Sequence, residues 1–295
     1  MPGILVFGEM SQSGLGSVTG ELLGVARSLS AKTGDEIAVA LLSDSVGGGA
    51  AESIALGADK VYRVESALLS EPQIDVHLEA FSQLVNQTEP SIVLIGRTPL
   101  GRDVGPRLAF RLGVAVAQDC VEVSVDADTG RVVAIRPVYG GNAMSRVSFT
   151  GDSTQVVLVR PKTFEALEPD TTRSGEIEDF PVNLDESAIR ARLVETVTQQ
   201  AEGVRLEDAS IVISGGRGLG GPEPFEELRN LSQILGGALG ASRAACDAGW
   251  IDHSHQVGLT GKTITPDLYI TVGISGASQH MAGCSASKNL SLIHI

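Results

Sequence analysis

Short apolar runs alternate with amphipathic stretches over the first two-thirds of the chain. The β-type runs lie at 4–7, 36–42, 60–64 and 91–95. The clearest helical stretch, 74–87, repeats Ile74, Leu78, Phe81, Leu84 and Val85 on one face. This alternation predicts an α/β domain with a mostly parallel sheet and helices on its faces. The pattern changes from Val114 onward. Runs at 121–125 and 131–138 flank a turn-forming segment at 126–130 and read as an antiparallel hairpin extending that sheet. A further strand is expected at 155–159.

Residues 161–186, with Pro161, Pro169 and Pro181 and many acidic side chains, read as a connector. A helix over about 187–200 would bury Ile189, Leu193, Val194 and Val197. The strand–loop–helix pattern then begins again, which places one domain at 1–198 and a second at 199–295. Glycine becomes denser in the second part, as expected where backbone must approach something closely.

Three glycine-punctuated segments in that part carry the candidate chemistry. The strand at 209–213 runs into Ser214-Gly215-Gly216-Arg217-Gly218-Leu219-Gly220-Gly221. After Pro222 and Pro224 a helix follows, with Phe225, Leu228, Leu231, Ile234 and Leu235 as its inward stripe. Ser242 and Arg243 follow a short strand at 238–241, and Gln256-Val257-Gly258-Leu259-Thr260-Gly261-Lys262 forms a polar turn. The strand at 268–274 leads into Ser275-Gly276-Ala277-Ser278-Gln279-His280, where a short helix is expected. Loops after parallel strands present N–H groups to anions, and arginine complements a phosphate. Any one of these loops alone could be a plain turn; three together point to an anionic, nucleotide-like cofactor.

Composition narrows the classes. With 36 acidic against 22 basic residues the net charge is −14, which argues against nucleic acid as a partner. Three scattered cysteines, Cys120, Cys246 and Cys284, suit a reducing compartment and neither a disulfide framework nor a zinc site. Asp252, His253 and His255 lack the spacing of a metal site, and no metal is expected. No run approaches the roughly 18 apolar residues of a membrane span. The start lacks a signal or transit pattern, so a bacterial cytoplasmic protein is expected, with no membrane insertion. Neither GxSxG nor GxxxxGK[ST] occurs, and no acid–base pair or nucleophile suggests substrate turnover.

The segments VISGGRGL, LGASRAACDAG, QVGLTGK and PDLYITVGISGASQHMAG, with GRDVGPRLAFRLG, DCVEV and RPVYGGNAM before them, resemble the alpha subunit of electron-transfer flavoproteins. The likeness runs over most of the chain. It implies a doubly wound, parallel-sheet C-terminal domain holding FAD. By position, Arg217 and Ser242 would serve the phosphate and ribityl side, and Arg243 would lie beside the isoalloxazine ring. Thr260, in the turn Gln256, Val257, Gly258, Leu259, Thr260, would hydrogen-bond near flavin N5. Ser275, Gly276, Ala277, Ser278 and Gln279 would wrap the pyrophosphate and ribityl chain, and His280 would reach the pyrimidine edge. A cation at Arg243 and a donor or cation at His280 would stabilise negative charge on the half-reduced ring.

The resemblance implies a heterodimer with a beta subunit. It would carry electrons from flavin dehydrogenases of the acyl-CoA type, as in fatty acid β-oxidation, to a membrane quinone oxidoreductase. Alternatives are an electron-bifurcating relative and a non-redox nucleotide-binding regulator. Two positions depart from the family pattern. Leu259 stands where Gln is common. After Lys288 the family continues through a strand and an Asn-containing turn, whereas here His294 takes the Asn position one residue before the end. That ending implies a truncated C-terminus with a foreign tail and weak or absent FAD binding.

Overall fold

The computed structural model describes residues 3–11, 14–191 and 204–293. They divide into two compact units, Met1–Pro137 with Ser145–Thr196 and Val138–Met144 with Val197–Ile295. The boundary expected at 198 and most of the helix expected at 187–200 lie outside the described residues. Ile189, at the start of that stretch, packs against the first unit's core.

The first unit is built on strands β1 (Ile4–Gly8), β2 (Ile37–Ser43), β3 (Lys60–Glu65) and β4 (Ile92–Gly96), linked by helices α1 (Ser17–Thr33), α2 (Gly49–Ala55) and α3 (Ile74–Thr88). Helix α4 (Pro99–Leu112) then leads to β5 (Val116–Cys120). The hairpin pairs β6 (Glu122–Val125) with β7 (Val132–Val138), and β8 (Ala143–Ser148) lies next to β7. Strand β9 (Gln155–Val159) returns to the main sheet between β4 and β5, and β10 (Glu176–Asp179) lies beside β3. The seven-stranded order is β10-β3-β2-β1-β4-β9-β5, with parallel pairing. The hairpin is present, but it belongs to a separate three-stranded sheet instead of extending the large one. The stretch read as a connector supplies an edge strand, which its acidic sequence conceals.

Strands buried on both faces lose the polar alternation of half-exposed ones. In β1, Ile4 and Val6 pack on the side of α1 and α2, whereas Leu5 and Phe7 pack on the side of α3 and α4. Phe7 meets Phe81 of α3 edge-on, with ring centroids 4.8 Å apart. Helix α4 was hidden from the sequence pattern by Pro106 inside it and by Phe110, which is 84% exposed.

The second unit repeats this plan with β11 (Ile211–Gly215), α5 (Pro224–Ile234), β12 (Ala238–Ala241), α6 (Arg243–Asp247), β13 (Leu268–Val272), α7 (Ser278–Met281) and β14 (Asn289–Ile293). All pairs in the order β12-β11-β13-β14 are parallel. Val212 and Ile213 feed cores on opposite faces, so this sheet too is covered on both sides. Residues 289–293 therefore form a regular strand, while His294 lies outside the described residues. The inward stripe expected for α5 holds for Phe225 and Leu228 only; Leu231, Leu235 and above all Ile234, 81% exposed, face outward.

Both sheets change direction at one place, between β1 and β4 and between β11 and β13. Such switch points open crevices at the carboxyl ends of strands. In the first unit, Glu9 follows β1 and Thr98 caps α4. The Thr98 hydroxyl donates to Glu9 Oε1 at 2.6 Å and accepts the Gly101 N–H at 3.0 Å. Burial pushes the Glu9 carboxyl from its ordinary 4.5 up to about 7, the Thr98 bond opposing. In the second unit, Gly218 N–H donates to the Gly273 carbonyl at 2.9 Å. A Cβ on Gly218 would stand 2.8 Å from the Gly273 Cα, and Gly273 has φ +70°.

Glu9 holds its proton in the folded state over a pH range where the unfolded chain releases it. Its contribution is thus complete below about pH 4.5 and lost as the pH rises through about 7. Glu9→Gln is expected to stabilise the first unit by about 1–3 kcal/mol at pH 8 and by almost nothing at pH 4.5, read from denaturant unfolding at the two pH values. Gly273→Ala meets both strain and the Gly218 backbone and should cost about 2 kcal/mol or more. Gly220→Ala, at φ +80° with open space around it, should cost about 1 kcal/mol, so the difference between the two midpoints isolates the crowding.

Candidate functional site

A cavity of about 460 Å³ opens at the switch point of the second unit. Arg217 and Gly218 reach it from the loop after β11, and Ser242, Arg243 and Ala244 from the turn after β12. Gln256, Val257, Gly258, Leu259 and Thr260 form one wall. Gly273, Ile274, Ser275, Ala277, Gln279 and His280 reach it from the segment after β13. Twelve of the fourteen candidate residues thus line one cavity. Gly276 and Ser278 do not line it; Gly276 takes φ +73° and faces Leu292 of β14. Gly218, Ala244, Gly273 and Ile274 lie within the highlighted segments but were not among the expected site residues, although each is within two residues of one that was.

Backbone bonds tie the walls together. Val257 N–H donates to the Ala241 carbonyl at 2.9 Å, and Leu259 N–H to the Gln279 carbonyl at 2.7 Å. The loop shape therefore does not depend on the Leu259 side chain, which is 55% exposed. A Cβ on Gly283 would lie 2.5 Å from the Gly258 nitrogen, so glycine there lets the wall sit against α7. Helix α7 has only four residues. It offers the N–H groups of one turn and little of the dipole expected from a longer helix.

The charge at the cavity is positive. Two arginines line it and no carboxylate does. Arg217 makes no ion pair among the described residues, while Arg243 Nε donates to Asp247 Oδ2 at 3.2 Å. Burial pushes the Cys246 and Cys284 thiols up to about 11, so neither is a nucleophile at neutral pH.

Two buried polar atoms on the lining lack partners, Ser242 Oγ and His280 Nδ1. Buried polar groups are ordinarily hydrogen-bonded, so unpaired ones at a cavity fit a site completed by a polar ligand. His280 Nε2 lies 2.9 Å from the hydroxyl of Tyr269, a fully buried β13 residue that the sequence reading passed over. Burial pulls the His280 pKa down, with the Val257 backbone opposing. The ring is therefore neutral near pH 7 and acts as a donor or acceptor instead of a cation. A Tyr269 hydroxyl that donates to Nε2 would leave the ring proton on Nδ1, the unpaired atom. A phosphate-bearing ligand with a polar ring edge matches these donors; the set has no metal-ligand character.

Residues 4–185 match the family model for the electron transfer flavoprotein domain, and residues 205–285 match that for the electron transfer flavoprotein FAD-binding domain. The alpha subunit of the electron transfer flavoprotein from Thermoanaerobacterium thermosaccharolyticum is 40% identical over 291 residues, covering 99% of this chain and 88% of that protein. Its counterpart from Bacillus subtilis is 41% identical over 286 residues, covering 97% and 86%. Protein FixB from Clostridium saccharobutylicum is 36% identical over 292 residues, covering 99% and 87%. The first match falls mostly in the first unit and the second lies in the second unit, and the cavity falls within the FAD-binding match. The chain belongs to the electron transfer flavoprotein family, as an alpha subunit.

Proposed function

We propose that the cavity of the second unit holds FAD and that the chain is the flavin-bearing half of a heterodimer with a beta subunit. The observation that carries this reading is the pairing of two arginines, no lining carboxylate and two orphaned buried polar atoms around one cavity. The FAD-binding domain would extend from residue 199 onward. Bound there, FAD would accept electrons from flavin dehydrogenases, of the acyl-CoA type, and release them to a membrane quinone oxidoreductase.

This chain's residues bind and orient the cofactor and set the charge around it. Arg217 and Ser242 serve the phosphate and ribityl side, with the Ser242 hydroxyl gaining the partner it lacks. Arg243, held by Asp247, places positive charge beside the ring. His280, held neutral by burial and by Tyr269, supplies an Nδ1 proton at the pyrimidine edge. Positive charge and donors fixed by the fold favour extra electron density on a bound ring. The segment Ser275–His280 provides backbone N–H groups in a stretch with little side-chain bulk.

The test is the cofactor itself. Co-expressed with its beta subunit, the chain should purify yellow, in contrast to the weak or absent FAD binding expected from its ending, and the extracted flavin should run as FAD on chromatography. Arg217→Ala and Arg243→Ala should each weaken FAD binding by about tenfold to a hundredfold, as loss of a charged hydrogen-bonding group does. A folded heterodimer with no flavin and no affinity for added FAD overturns the reading. Two flavins per heterodimer would favour the bifurcating relative.

A further inference from the structure

The Gln256 side chain is engaged at both ends. It is 6% exposed. Its Nε2 donates to Thr260 Oγ1 at 2.9 Å, and its Oε1 faces His253 Nδ1 at 3.1 Å. The turn beneath is fixed as well, with Gln256 N–H on the His253 carbonyl at 3.0 Å and Lys262 N–H on the Gln256 carbonyl at 2.7 Å. Gly261 permits that closure, since a Cβ there would stand 2.4 Å from the Gln256 oxygen.

The direction of these bonds has a chemical consequence. A threonine hydroxyl has one proton to give and lone pairs to receive. The bond from Gln256 uses Thr260 as an acceptor, and no protein group among the described residues takes the Thr260 proton. The His253 tautomer decides which way the amide points: a proton on Nδ1 places Oε1 opposite it, which leaves Nε2 for Thr260. On the far side of His253, Nε2 lies 3.8 Å from Asp247 Oδ1, beyond hydrogen-bonding distance, and Asp247 Oδ2 accepts from Arg243 Nε.

We infer that Gln256 and His253 are positioning residues that hold the Thr260 hydroxyl as a donor to a ligand acceptor in the cavity. Gln256 lies on the cavity wall and acts on the ligand through Thr260. The inference rests on the flavin reading, in which the acceptor is the ring nitrogen N5. A purely structural glutamine would hold the loop equally well for a ligand with or without that acceptor.

The measurement is the ratio of dissociation constants for FAD and 5-deaza-FAD, which carries C–H in place of N5, by flavin fluorescence titration of the apo heterodimer. The native protein should prefer FAD by about fivefold, the range of one net hydrogen bond, and Thr260→Val should bring the ratio to about one. Gln256→Glu keeps the volume but only accepts hydrogen bonds when ionised, so it captures the Thr260 proton and should also bring the ratio to about one. His253→Phe replaces a largely exposed ring, leaves the core intact and should lower the ratio in the same direction. A native ratio retained by Gln256→Glu overturns the proposal, as does one retained by Thr260→Val; in both cases the flavin reading stands. A native heterodimer that binds neither flavin overturns both.

Discussion

The second unit depends on a meeting of two backbones. The loops after β11 and β13 pass so close at Gly216, Gly218 and Gly273 that any of three Cβ atoms would collide with main chain. That approach lets Gly216 N–H reach the Val272 carbonyl and Gly218 N–H reach the Gly273 carbonyl, both at 2.9 Å. The two strand ends are thereby locked together, and the chain can diverge from them only upward and outward. The cavity is the space left where it diverges. The glycines expected to cradle a phosphate thus serve first to bring protein against protein.

The two units share a doubly wound plan and differ at the switch point. In the first, Glu9 and Thr98 close the crevice between β1 and β4 with a side-chain hydrogen bond, and burial keeps the carboxyl protonated to about pH 7. In the second, small residues leave the crevice open, and two buried polar atoms on its lining, Ser242 Oγ and His280 Nδ1, lack partners. The same topology therefore carries a side-chain hydrogen bond across the switch point in one unit and an open cavity in the other. Side-chain volume and polarity at a few positions make the difference.

Charge is divided in a similar way. The chain carries −14 overall, yet the cavity lining carries arginine and no acid. The nearest carboxylate partner of the lining, Asp247, sits behind Arg243 and steadies it without entering the site. Tyr269 plays the corresponding part for His280, from a strand whose sequence looks like ordinary core. Site function depends on groups one layer behind the lining as much as on the lining itself.

The sequence by itself determined the α/β class, the expected strands at 4–7, 36–42, 60–64 and 91–95, and the grouping of twelve lining residues. Their signals are local: apolar runs, glycine after a strand, arginine among glycines. The resemblance to electron-transfer flavoproteins was legible for the same reason, being carried by contiguous motifs. Local pattern could not reveal that β9 inserts between β4 and β5, that the hairpin forms its own sheet, or that an acidic stretch supplies β10. Strand neighbours are chosen by contacts across the fold, and neighbouring strands can be far apart in sequence. Tyr269, Asp247 and His253 stayed hidden on the same grounds. Their importance comes from the atoms their side chains reach, and only the tertiary structure brings those atoms within hydrogen-bonding distance.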